Sequence, residues 1–349
     1  MRVSRKHAVG RVLAAAVIII VVGLSGLGYI LYQQTSIKPS TVSLGLDFTP
    51  NAGDAPLFYG VAEGIYKANN VNLTIIPGTS VGATVAALEA GKFDFALVSP
   101  SSVVDYVANN NVTDIQMVAM EYARSGLVVV FNNASITKIS DLDGKSGSMV
   151  SPAQGDILGD FKIFAQANNL NVSSMNLQFN PVSTSDQLFL SGKVQFIVVA
   201  VNNLGTLRPP AAAAGITLGY FVLADNGLPA AGIAIATTRS MIQQNPNTVR
   251  NFVKATMQSL VQAYKNQAAA VADLVKANPQ LNQSATLQGY QTLLQTTSID
   301  PTGLSSPLQY GWIDASYMQQ TVNTEIVADN LKLTLDATTI YTNQFVQQP

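Results

Sequence analysis

From Thr41 onward the chain alternates short apolar runs with segments whose apolar positions recur every three to four residues, which predicts parallel sheets joined by crossover helices. Val42 to Leu46 reads as a strand that runs into the turn-rich loop Asp47-Phe48-Thr49-Pro50-Asn51, followed by a helix through Tyr66 and Ala68. Leu73 to Ile76 reads as the next strand, closed by Pro77-Gly78. Ser80 is placed to cap a helix with Val81, Val85 and Leu88 on one face, and Gly91 to end it before a strand from Phe93 to Val98. Further along, Gly232 to Ala236 predicts a strand. Asn245-Pro246 opens a long helix with Val249, Phe252, Val253, Thr256, Leu260 and Tyr264 along one face. More helix is expected from Ala268 to Ala277 and through Tyr317 to Asp329.

Part of this pattern occurs twice. Ala68-Asn69-Asn70-Val71-Asn72 reappears as Ala167-Asn168-Asn169-Leu170-Asn171, and the run from Gly91 to Ser99 (GKFDFALVS) as Gly192 to Ala200 (GKVQFIVVA). The offset is nearly constant and the order is kept. Two generic transitions from helix through Gly-Lys to strand would give similar letters, but two lobes built on one plan account for both matches together. A chain that builds one lobe, crosses to a second and returns to finish the first has its hinge near Val130 to Ala134 and Leu223 to Ala231. The lobes are then 41–131 with 229–349, and 132–228.

Before this body, Arg2, Arg5, Lys6 and Arg11 precede an uncharged stretch from Val12 to Tyr32. At about 1.5 Å per residue that stretch crosses a hydrocarbon core of roughly 30 Å. The positive residues in front hold the stub 1–11 in the cytoplasm and place the body outside, with 33–40 as a tether. A removable signal peptide has the same charged start, but a shorter apolar core and an A-x-A cleavage site. Asn-x-Ser/Thr sequons at Asn72, Asn111, Asn133, Asn171 and Asn282 suit an exported domain, although an Asn-rich chain produces many by chance.

Composition narrows the chemistry. A chain of 349 residues, 48% hydrophobic, has material for about two cores. With 19 Lys and Arg against 20 Asp and Glu there is no field to hold a polyanion, so nucleic-acid binding is disfavoured. There is no cysteine, and the one histidine, His7, precedes the apolar stretch. Disulfides, thiolate metal sites, thiol nucleophiles and a lipidated Cys anchor are thereby excluded, as is a His acid, base or metal ligand in the body.

The runs LDFTPNAGDAPLFYGVAEGIYKANNVNLTIIPG, LEAGKFDFALVSPSSV, ISDLDGKSGSMVSP and ATTRSMIQQNPNTVRNFVKATMQSLVQAY resemble the type II periplasmic binding proteins of the nitrate, taurine, aliphatic-sulfonate and thiamine-pyrimidine-precursor group. The likeness extends from about Thr41 to about Asp329. It implies an α/β fold of two Rossmann-like lobes joined by two crossover strands, here preceded by a transmembrane helix. The opening D-aromatic-T-P-N loop and the segment Asn226 to Ile235 are similar to the pyrimidine-precursor branch, in which an aromatic residue stacks on the ligand ring, a role that falls to Phe48. That branch usually has Trp where Phe48 stands and His where Asp54 stands. Its eukaryotic synthases rely on that His and on a cysteine-rich motif, and this chain lacks both, so catalysis is not expected.

In open parallel sheets ligands sit beyond the carboxyl ends of the strands, where loops enter helix N-termini. That rule selects Asp47, Phe48, Pro50 and Asn51 after the first strand, and Ser99, Pro100 and Ser101 after the Phe93 strand. Ser151, Gln154 and Gly155 are the counterpart in the second lobe, and Asn202 and Asn203 close the Phe196 strand. An ordinary proline turn, a helix cap and loop residues would look the same at these places. Arg124 could neutralise an anion or simply be exposed. Tyr59, Tyr122 and Trp312 read more simply as packing residues than as ligand contacts.

The expected protein is therefore an extracytoplasmic, membrane-anchored monomer without metal or cofactor. It holds a small solute, either a thiamine-type pyrimidine precursor or a sulfonate-, taurine- or nitrate-like anion, and passes it to an ABC permease and its ATPase. A precursor-synthase-like enzyme and a membrane-anchored solute sensor are the alternatives.

Overall fold

The computed structural model describes residues 38–150, 157–297 and 300–349. The expected membrane helix 12–32, the stub 1–11 and residues 33–37 of the tether lie outside the described residues. Among the described residues no helix is long and apolar enough to cross a membrane.

The body runs β1 (Ser40–Gly45), α1 (Ala55–Ala62), α2 (Ile65–Ala68), β2 (Val71–Ile76), α3 (Val81–Glu89), β3 (Phe95–Val98), α4 (Pro100–Asn110) and β4 (Ile115–Met120). It continues with β5 (Leu127–Asn132), β6 (Ser146–Met149), α5 (Ile157–Ala167), β7 (Asn176–Phe179), α6 (Val182–Leu190), β8 (Phe196–Ala200), α7 (Leu204–Ala213) and β9 (Leu218–Val222). The return consists of β10 (Ala234–Thr238), α8 (Arg239–Gln244), α9 (Pro246–Lys265), α10 (Gln267–Ala277), α11 (Gln283–Thr296) and α12 (Ala315–Ala328).

These strands form two five-stranded sheets of matching plan, β2-β1-β3-β10-β4 and β7-β6-β8-β5-β9. In the first, β1 and β3 are parallel, and β10 runs antiparallel to both β3 and β4. In the second, β6 is parallel to β7 and β8, and β5 runs antiparallel to both β8 and β9. Each sheet is thus mixed where wholly parallel sheets were expected, and its antiparallel strand is the first one laid down after the chain crosses over. Strands β3 and β4 are buried at every residue, which is why they read as continuous apolar runs rather than alternating ones.

The repeated letters mark repeated geometry. Asn70 and Asn169 both adopt the left-handed conformation, with φ 59° and 57°, as do Gly91 and Gly192, with φ 69° and 72°. Lys92 N donates to Ala87 O and Lys193 N to Leu188 O, the same helix-ending bond closed by a glycine in each lobe. At the heads of the sheets, the Ser43 amide and hydroxyl both donate to Asp94, and those of Ser146 both donate to Gln195.

One boundary differs from expectation. Leu127 to Phe131 was assigned to the first lobe, yet it forms most of β5 in the second sheet. The crossovers therefore lie at 121–126 and 223–233, and Val130 sits mid-strand rather than in a hinge. An all-apolar run fits either sheet, and only its hydrogen-bonded partners decide. The two crossovers bond to each other: Glu121 N and Tyr122 N donate to Ile233 O, and Ser125 N to Ala230 O. Gly232 is required there, because a Cβ on it would stand 2.5 Å from both the Tyr122 and Arg124 carbonyl oxygens.

The lobes also share a core. One buried apolar cluster joins Ala55, Tyr59, Val271, Tyr290 and Leu293 of the first-lobe helices to Val128, Val130, Ile197, Val199 and Leu207 of the second lobe. Helices α7 and α11 cross closely where both carry glycine. A Cβ at Gly205 would lie 2.1 Å from Ala285 O, and one at Gly289 would lie 2.4 Å from Asn202 O.

Candidate functional site

Because β10 opposes both β3 and β4 while β1 parallels β3, the chain leaves β1, β3 and β4 at one edge of the first sheet. Asp47, Ser99 and Glu121 all follow those three exits. The same reasoning puts the residues after β8 at the corresponding edge of the second sheet. Asn51 and Asn202 join the two edges: the Asn202 side-chain amide donates to Asn51 Oδ1 at 2.5 Å. The strand-end loops of the two lobes therefore meet.

In the first lobe the β1 loop is held from several sides. Gly78 N donates to Phe48 O, and the Thr84 hydroxyl donates to Leu46 O at 2.8 Å. Gly78 has no room for a side chain, since a Cβ would come within 2.1 Å of Leu46 O. Asn51 Oδ1 accepts from Gly53 N, and the Asn51 backbone N–H donates to the Asp54 carboxylate, so the loop closes into the turn at 52–54. Phe48 stands exposed at the loop, and Pro50 is half-buried beside it.

Ser99 caps α4 by accepting from Ser102 N at 3.2 Å, and its hydroxyl donates to Ser102 Oγ at 2.8 Å. Pro100 occupies the first helical turn and Ser101 is buried. Asn203 does not join Asn202 at the junction. Its amide donates to Asp186 Oδ1 at 3.0 Å within the second lobe. Ser151, Gln154 and Gly155 lie outside the described residues. Tyr122 is buried and donates to Gly53 O at 2.9 Å, a structural tie between crossover and loop.

The feature that sequence reasoning missed is acidic. Burial pushes the Asp47 carboxyl up to about 6, against the opposing pull of the Phe48 and Asp47 amides. Asp54 is pushed well above the carboxylate range by burial and then by the Asp47 charge. Glu121, 1% exposed, is pushed well up by burial and then by Asp54 and Asp47. Neither Glu121 carboxyl oxygen has a hydrogen-bond partner. A second acidic group lies where α12 meets α4 and α5. Glu325 is raised to about 8 by burial and by Asp329 and Asp105, with the Ser101 hydroxyl opposing. Asp160 is raised to about 7 by burial and by Asp329. Asp160 Oδ1 and Glu325 Oε1 are buried without a partner. Among the described residues no group of three or more such side chains is arranged to hold a metal ion.

Arg124, the cation considered for anion binding, is ion-paired with Asp225. Nothing local in the sequence marks Glu121: it is one acid after an apolar strand, and only the strand order shows where it emerges.

Comparisons with known proteins agree with this architecture. The family model described as NMT1/THI5 like matches residues 51–270. The riboflavin-binding protein RibY of Chloroflexus aurantiacus is 22% identical over 312 residues, covering 87% of this chain and 86% of its own. Among solved structures, the periplasmic aliphatic sulphonate binding protein SsuA from Escherichia coli superposes with TM-score 0.67 at 11% identity, over 89% of this chain and 95% of that one. The periplasmic nitrate-binding protein NrtA from Synechocystis PCC 6803 gives 0.62 at 13%, over 87% and 86%. Sharing of the two-lobed periplasmic-binding-protein fold is what these structures establish.

Proposed function

The chain belongs to the NMT1/THI5-like family, and on that premise we propose that it is the extracytoplasmic solute-binding component of an ABC importer. It captures a small polar solute between its lobes and delivers it, unchanged, to a permease and its ATPase. In this reading residues 12–32 anchor a monomeric body to the membrane. The observation that carries it is the junction of Asn51 and Asn202, which brings strand-end loops of two like-built lobes against each other at the edges where open α/β sheets take their ligands. The names of RibY, SsuA and NrtA, each for a small molecule bound, support the same reading.

The mechanism follows from two lobes and a bonded pair of crossovers. One lobe binds the solute first, and contacts from the other favour the shut form through its greater affinity for solute. Asp47, Phe48, Pro50 and Asn51 with Ser99, Pro100 and Ser101 are assigned to one wall, and Ser151, Gln154, Gly155 and Asn202 to the other. Phe48, exposed at the mouth, is assigned to stack on a flat ring.

A thermal-shift screen of the chain against pyrimidines, sulfonates, taurine and nitrate tests the proposal, paired with small-angle scattering to detect closure. A solute at about 100 times its dissociation constant stabilises by about 2.7 kcal/mol. No stabilisation and no compaction with any solute of the panel would refute it. If the solute carries a flat ring, Phe48→Ala should abolish its binding, whereas binding of a solute without a ring should survive the substitution.

A further inference from the structure

We infer that the solute taken by this cleft presents a positive charge or a set of N–H donors to the carboxyls of Glu121 and Asp47, and that the site rejects small oxyanions. The inference deepens the proposed solute-binding role and rests on it.

Three independent observations carry it. Glu121 is 1% exposed and both its carboxyl oxygens lack a partner, an arrangement that native structures rarely leave without a reason. The Tyr122 hydroxyl, which also pulls the Glu121 carboxyl down somewhat, directs its proton to Gly53 O at 2.9 Å. An incoming N–H group supplies what Glu121 lacks. Next, among the described residues the loops at the strand exits, 46–54, 77–80, 99–102, 121–126, 180–185, 200–206 and 223–233, contain one basic residue, Arg124, and it is ion-paired with Asp225. Among the described residues of these loops, an anion buried here would meet carboxyls and no cation other than the already paired Arg124, at a desolvation cost that neutral donors alone rarely offset. Finally, two of the helix starts at these edges, those of α3 and α4, are occupied by their own caps, whereas α1, α6 and α7 begin without one. Ser80 accepts from Ala83 N, and Ser99 from Ser102 N.

The electrostatics agree. Burial raises all three acids, and beyond burial Asp47 raises Asp54 while Asp54 and Asp47 raise Glu121, the direction expected of acids held together without a cation. A bound cation would return Glu121 to its charged form. The titratable groups facing it are Asp47, Asp54 and Tyr122, with Tyr66, Tyr290 and Tyr310 also within its electrostatic reach.

The test uses the full-length chain and two sets of probes: guanidinium, benzamidine and 4-aminopyrimidine as chlorides in one, sodium nitrate and sodium methanesulfonate in the other, each against sodium chloride of equal ionic strength. The expected result is a rise in melting temperature with at least one probe of the first set and none with the second. Glu121→Gln should weaken that binding at least tenfold while melting no lower than the parent. Asp47→Asn serves the same purpose if the Glu121 variant does not fold. An oxyanion that stabilises beyond the chloride control overturns the inference and leaves solute capture standing. Binding of a first-set probe without compaction leaves the inference standing and sinks capture by closure. Silence from all first-set probes, or undiminished binding by both variants, also overturns the inference.

Discussion

Asp160 offers a quantitative test of how this fold handles buried acids. It lies on α5 of the second lobe, 7% exposed, with Oδ1 unpartnered and its carboxyl raised from 3.8 to about 7. A folded-state value above the unfolded one means that the folded protein binds more protons, so stability falls as pH rises from about 4 to about 7 and levels off beyond. A shift of roughly 3 units corresponds to about 4 kcal/mol lost across that window, of which about 2.5 kcal/mol falls between about pH 5 and about pH 7.5. Asp160→Asn removes the ionisation and leaves a polar group of similar shape, which itself needs partners at a cost of about 1–3 kcal/mol. The variant should therefore exceed the parent by about 1–3 kcal/mol at about pH 7.5, with little or no advantage at about pH 5. Urea unfolding of both proteins at the two pH values measures this directly. A difference between them that does not change with pH would refute the reasoning, as would a variant less stable than the parent at the higher pH.

Other consequences are simpler to test. Gly289→Val drives a side chain into the Asn202 carbonyl at the α7–α11 crossing and should lower stability by at least about 1–3 kcal/mol, read as a fall in urea midpoint. Ser99→Ala removes the cap of α4 and should cost about 1 kcal/mol in the same assay. Asn202→Ala breaks the bond to Asn51 between the lobes, so it should weaken solute binding by a few-fold to about tenfold, seen by calorimetry, with a change in melting temperature smaller than that of Gly289→Val.

The parts of this fold that could be read from sequence were those with a local conformational demand. A helix that ends in left-handed backbone selects Asn or Gly, so Asn70, Asn169, Gly91 and Gly192 leave the same letters at the same spacing in both lobes. Apolar runs impose no such demand on their partners. Leu127–Asn132 looks alike whichever sheet receives it, and its assignment failed for that reason. Asp47 to Asn51 and Asn202 were legible as strand-exit loops because strand exits are where turn-forming residues concentrate. Glu121 was not found, because its isolation from water comes from β4, the crossovers and surrounding tyrosines distant in sequence. Asn203, chosen for being adjacent to Asn202, bonds to Asp186 instead: residues side by side on a short helical turn point different ways.

The shared core bears on how such a molecule can close. If the lobes touched only through the two crossovers, opening would break little beyond the contact between Asn51 and Asn202. Here α10 and α11, which belong to the returning part of the chain, pack in one apolar cluster with Val128, Val130, Ile197 and Val199 of the second sheet. The Arg208 guanidinium on α7 also donates to Thr292 on α11. Any rotation that exposed this cluster would cost about 25 cal/mol for each Å² uncovered, which quickly exceeds the free energy of binding a small solute. Motion that frees the strand-end edges must therefore leave the α7–α11 crossing closed and pivot about it. Gly205 and Gly289, by letting backbones meet without side chains between them, are suited to act as that pivot. The apolar seam then holds the lobes in register directly beside the Asn51–Asn202 contact, since a Cβ on Gly289 would lie 2.4 Å from Asn202 O and 3.5 Å from Ala52 Cβ, so a pivot there asks for little displacement of the crossing itself.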